Sequence, residues 1–157
     1  MLVLDKLISD FSLMPNITLG KELNVQELDN LHLVQEQDGN IPAIYILTHD
    51  QFKVELNVIN KIVYGFVIRL DMHPESLFNI KAGNNAFLIS FETNFIDFIS
   101  FLNENNIVWA INERESMEQR VVISVNYKLD FFFLLDKEDW GLFRVSLADI
   151  ELYESFL

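Results

Sequence analysis

No cysteine occurs in the chain, which excludes disulfides, thiolate metal sites and a cysteine nucleophile. Glycine occurs only five times, at positions 20, 39, 65, 83 and 141, and never in a GxGxxG or GxxxxGK context. Phosphate-cradling loops of those two kinds are therefore missing. The serines lack the flanking glycines of a nucleophile elbow. No apolar run approaches the roughly 18 residues that suggest a membrane-spanning helix. Basic residues are scarce and scattered, 11 Lys and Arg against 24 Asp and Glu, for a formal charge of -13. A surface of that sign repels nucleic acid and anionic lipid, so neither nucleic acid nor a membrane is expected as a partner.

What is present is apolar. Half of the 157 residues are hydrophobic, and 14 of them are Phe. High charge signals disorder only when hydrophobicity is low, so a folded chain is expected, of a length that fits a single domain over 1–157. The first residues, MLVLDKLISD, have an early acid and no basic n-region. They do not read as a secretory signal, and with the lack of cysteine this gives a cytoplasmic expectation.

Apolar spacing predicts a short helix over 2–11, a second over 25–34 behind Asn24, and hence a helical N-terminal part over 1–35. From 41 the period changes to two. Residues 42–48, 52–58 and 62–70 read as strands joined by short turns, with Gly65 a candidate bulge. Residues 72–85 read as loop and 86–91 as a short strand. A helix over about 94–104 follows a Thr93 or Asn94 cap, with Phe95, Phe98, Ile99 and Leu102 on one face.

Residues 107–111 make another strand, followed by a charged loop to Gln119. The alternation from Arg120 to Leu135 would span roughly 50 Å as one strand, at about 3.3 Å per residue. It must therefore break into a hairpin near 127–129. A last strand covers 142–147, and a short helix is expected in the tail. The fold class is α+β: an antiparallel sheet of about six to eight strands over 41–147, with one inserted helix and the helices on one face or one end.

Chemistry-bearing residues are sparse. His32, His49 and His73 form no HxH or HxxxH pair. Asp71, His73 and Glu75 would bind a metal only by converging, and they read as a solvated strand end. No metal and no cofactor is expected. Glu113, Glu115 and Glu118 read as an exposed charge run, although paired carboxylates could do acid–base work if burial split their pKa values. The triplet Phe131-Phe132-Phe133 must send its middle ring to the opposite face.

The DKEDWG turn over 136–141 places Trp140 among Asp136, Glu138 and Asp139. Farther on, Glu151 and Tyr153 repeat the mixture of acid and aromatic. Aromatics ringed by carboxylates suit an interface with a basic protein, the rings anchoring and the charges steering. The candidate partner-binding residues are therefore Trp140, Asp136, Glu138, Asp139, Glu151, Tyr153, Glu113 and Glu115, with no catalytic residue assigned.

In general character the chain resembles the small acidic immunity proteins of bacteria, and the stretch ITLGKELNVQEL over 17–28 is similar to a loop-then-helix opening found among small α+β bacterial domains that include such proteins. The resemblance implies a non-catalytic protein that covers the active site of a cognate basic toxin, often a nuclease. Two other readings stand beside it. One is a small enzyme with a nonstandard site built from Glu113, Glu115 and His73. The other is a structural or adaptor subunit that buries its surplus Phe in a homodimer.

Overall fold

A computed structural model of the chain describes residues 2–135 and 140–157, the side chain of Trp140 excepted. Its centre is one eight-stranded, wholly antiparallel sheet. The chain begins with β1 (Leu2–Val3), a π-helical turn (Lys6–Asp10), the small hairpin β2 (Ser12–Met14) and β3 (Ile17–Thr18), and a 3-10 turn (Val25–Glu27). Four strands then run as a meander: β4 (Leu31–Gln35), β5 (Ala43–His49), β6 (Phe52–Ile59) and β7 (Ile62–Arg69). A second hairpin, β8 (Phe78–Ala82) and β9 (Asn85–Ile89), and the helix α1 (Phe95–Glu104) follow. The other meander is β10 (Trp109–Ile111), β11 (Arg120–Val125), β12 (Leu129–Leu135) and β13 (Trp140–Ala148), and α2 (Ile150–Glu154) closes the chain.

The spatial order β10-β11-β12-β13-β7-β6-β5-β4 joins the two meanders through their last strands. Along this seam Gly65 lies opposite Ala148 and Arg69 opposite Arg144. A Cβ at Gly65 would stand 3.1 Å from the Leu147 carbonyl oxygen and 3.3 Å from Ala148, so glycine permits the close approach. The expected bulge lies here, where the pairing steps from Asn57–Gly65 to Val58–Val63. Beyond Gly65 the backbone of residues 20–23 takes over the edge of β7, through hydrogen bonds among Gly20, Lys21, Leu23, Lys61 and Val63.

The expected hairpin break is found at Asn126 and Tyr127, both left-handed at φ 53° and 61°. Asn60 and Lys61 turn β6 into β7 in the same way. Two left-handed residues match the twist of the flanking strands.

One face of the sheet carries the core. Phe52, Val54, Leu56, Phe66, Ile68, Phe131, Phe133, Val145 and Leu147 are buried there beneath the N-terminal segment, the β8–β9 hairpin and α1. The ring of Phe98 on α1 sits 4.5 Å from Phe131 and 5.8 Å from Phe133. Helix α1 starts as the sequence indicates, with the Asn94 side chain accepting from the N–H groups of Ile96 and Asp97. Among the described residues no helix is long and apolar enough to cross a membrane.

Three expectations are corrected. The helix over 2–11 is β1 followed by a π-helical turn, because Leu2 and Val3 pair in parallel with Ile80 and Lys81 of β8. The helix over 25–34 does not form, so the N-terminal 35 residues are not a helical unit. Asn24 makes no side-chain cap, Asn30 is left-handed at φ 60°, and Leu31–Gln35 is a strand against β5. A stretch that short is marginal as a helix without a packed face, and Val25 is exposed. Residues 78–82, expected in a loop, alternate buried Phe78, Ile80 and Ala82 with Asn79 and Lys81 and form β8. The helices are consequently few and short, and the architecture is mainly β.

Candidate functional site

The second face of the sheet is different. Alternation sends Phe132, Asp130, Arg144, Ser146, Arg69, Val67 and Glu55 there, in register across β12, β13, β7 and β6. Phe132 is only 2% exposed, and among the described residues no helix is packed on it. The guanidinium of Arg144 lies over its ring at 3.9 Å, that of Arg120 at 5.5 Å, and Phe143 meets it edge-on at 6.0 Å. Guanidinium groups held over an aromatic face are attracted by its quadrupole, and their stems shield the ring from water.

Two of these cations are paired. Arg69 Nε donates to Glu55 Oε2 at 3.2 Å. Arg120 Nε donates to the Glu115 backbone oxygen at 2.9 Å, and its Nη2 stands 3.6 Å from the Glu115 carboxylate. Arg144 has no ion pair among the described residues, and its buried Nε has no hydrogen-bond partner. Burial, then the like charges of Arg69 and Arg120, push its pKa down, against weaker support from Glu115 and Asp71. Next to it, burial holds the Asp130 carboxyl above the usual carboxylate range, although Ser124 donates to it and Asn112 also supports the ionised form. At the other end of this face the Tyr64 and Tyr153 rings meet at 4.9 Å. Burial, then Tyr153 and Glu55, raise the Tyr64 phenol.

A separate cleft of about 830 Å³ opens between the π-helical turn, the β2–β3 hairpin and the ends of β4 and β5. Leu13, Met14, Leu28 and Leu47 give it an apolar floor, and Asp10, Asp29 and Asp50 give it acid walls. Lys6 lies 3.7 Å from Asp10, and His49 Nε2 lies 3.3 Å from Asp50. Asp29 has no ion pair among the described residues.

The residues singled out from sequence are not gathered in one place. Asp136, Glu138 and Asp139 lie outside the described residues. Trp140 enters β13 opposite Leu135, and its side chain lies outside the description. Glu113 and Glu115 sit in the segment that leads into β11 at Arg120, whose partner Leu134 faces Gly141 at the start of β13. Glu151 and Tyr153 follow the opposite end of β13. Glu151 is exposed, whereas Tyr153 packs on Tyr64 and donates to the Asn40 carbonyl oxygen at 3.2 Å.

His73 stands 3.9 Å from Glu75 and lines a small cavity with Arg69 and Glu55, away from Glu113. No group of three or more His, Asp or Glu among the described residues could hold a metal. Sequence reading passed over Arg69, Arg144 and the acid-walled cleft. The one available signal was Arg144 itself, the only charge within the apolar strand 142–147.

Compared with models of protein families, with curated proteins and with solved structures, the chain matches none of them.

Proposed function

We propose that the chain is a non-catalytic binding protein for a cationic protein, acting as immunity proteins do by covering a basic toxin. The observation that carries this reading is the cleft walled by Asp10, Asp29 and Asp50 over an apolar floor. Lys6 offsets one of the three charges, so the cleft keeps a surplus that a projecting Lys or Arg would neutralise. Its apolar floor would lie along the aliphatic stem of such a side chain.

The wider surface supports the same reading. Of the described carboxylates, only Glu55, Glu115, Asp130 and Asp149 are not exposed. That long-range field would steer a basic partner to rates of about 10⁸ M⁻¹s⁻¹ at low salt. The cytoplasm is the compartment proposed for this role.

The test is affinity capture from the native host, with the wild-type chain beside an Asp10→Asn, Asp29→Asn, Asp50→Asn variant. The expected result is a basic protein retained by the wild type, released by salt and lost with the variant. Retention of one partner by both chains, insensitive to salt, would sink the reading.

A further inference from the structure

We propose that Arg144, flanked by Arg69 and Arg120, is a docking point for a single carboxylate on the open face of the sheet. Three of the four arginines in this acidic chain meet on that face. The flanking pair is committed, Arg69 to Glu55 and Arg120 to Glu115. Arg144 is not: no described carboxylate is paired with it, and its Nε meets no acceptor. Withdrawing a charge from water without a partner is costly. A sheet that stacks such a guanidinium on Phe132, rather than releasing it to solvent, holds it ready for an anion.

The charge count selects the class of anion. Each flanking arginine is paired with its own glutamate, and Asp71 and Asp130 stand near Arg144 without pairing to it, so this face has no positive charge to spare for a multiply charged anion. A monocarboxylate adds the least negative charge beside Glu55, Glu115, Asp71 and Asp130, whereas a phosphate dianion adds twice as much. The fork of a guanidinium also matches the two oxygens of a carboxylate. Arg144 is partly exposed although its Nε is buried, so a carboxylate would reach it through the terminal nitrogens; the side chains of Arg69 and Arg120 beside it are 33% and 23% exposed. The site is independent of the acid-walled cleft and has the opposite preference, so it stands or falls apart from the cationic-partner reading.

The experiment is an NMR titration of the arginine Nε–H signals in the full chain, with the Arg144 signal identified by its loss in Arg144→Gln. Sodium acetate and a blocked Gly-Glu-Gly peptide are the probes, with sodium chloride and inorganic phosphate at matched ionic strength as references. The expected result is a saturable shift of the Arg144 signal with either carboxylate. Tighter binding of the peptide would assign the natural source as an acidic side chain, and tighter binding of acetate a small organic acid.

Arg144→Lys, which keeps the charge but loses the fork, is expected to weaken acetate at least tenfold. If Arg144→Gln fails to fold, the comparison of wild type with Arg144→Lys decides. A linear response equal to that of chloride, tighter binding of phosphate than of acetate, or undiminished acetate binding in Arg144→Lys would each overturn the proposal.

Discussion

The two faces of the central sheet solve the same problem by different means. Both must hide aromatic side chains that a single run, Phe131-Phe132-Phe133, sends alternately to either side. On the covered face Phe131 and Phe133 are sealed by other rings, chiefly Phe98 and Phe95. On the open face Phe132 is sealed by arginine side chains laid across it. A ring packed in a dry layer has neighbours that cannot close over a void. A ring roofed by long flexible cations has neighbours that can. The difference also places the arginines and their glutamate partners on the open face, so recognition chemistry is available there without disturbing the core.

That contrast is broken or sharpened most strongly by truncating the rings in turn. Phe133→Ala is expected to cost about 3–5 kcal/mol, the range for a buried Phe whose site cannot collapse. Such a loss is a large fraction of the stability of a small domain, and urea unfolding would read it. Phe132→Ala is expected to cost only about 2 kcal/mol, because Arg144 and Arg120 can settle into the space and regain water. Equal midpoint shifts in the two variants would show that the open face is packed as rigidly as the core.

Much of this architecture could be read from the chain. The period-two runs at 52–58 and 120–135 mark strands because apolar and polar side chains alternate along most of each. The Asn60-Lys61 pair marks one turn, the length of the 120–135 run demands another, expected near 127–129 and found at Asn126-Tyr127, and Asn94 marks the start of α1 through a local hydrogen bond. These signals are short-range. What could not be read is long-range. Residues 78–82 alternate over too few positions to stand out from their Pro and Gly surroundings, and Leu2–Val3 is a strand only because β8 lies beside it.

The candidate sites share that limit. Arg69 and Arg144 are neighbours only because β7 meets β13, a pairing that no local pattern encodes. The acid-walled cleft likewise assembles from the N-terminal turn and the ends of β4 and β5. Of the acids that sequence singled out, Glu113 and Glu115 precede β11 and Glu151 follows β13, while Asp136, Glu138 and Asp139 lie outside the described residues.

A smaller effect is expected from removing the charge of Arg144 while keeping its bulk. Arg144→Met retains a flexible cover over Phe132 and abolishes an unpaired guanidinium. The change is expected to lie between neutral and a gain of about 1 kcal/mol, since partial exposure already screens much of the charge. A loss well above 1 kcal/mol would mean that the contact with the Phe132 ring is worth more than the cost of withdrawing the charge from water. The open face would then be as much a packing device as the covered one.

The subtlest distinction is in pH. Asp130 on the open face keeps its proton to a higher pH in the folded chain than in the unfolded one, chiefly through burial. A raised carboxyl pKa means that the folded state binds the proton more tightly. Stability from this group is therefore complete below the ordinary carboxylate range and is lost as pH rises through the folded value. Asp130→Asn removes that loss and retains a polar partner for Ser124. The variant is expected to melt at a higher temperature than the wild type near neutral pH, with the gap closing below about pH 4, where the ordinary side chain takes up its proton in either state. Melting curves across that range would decide the matter, and a gap that is independent of pH would place the effect in packing, making the open face electrostatically no different from the core.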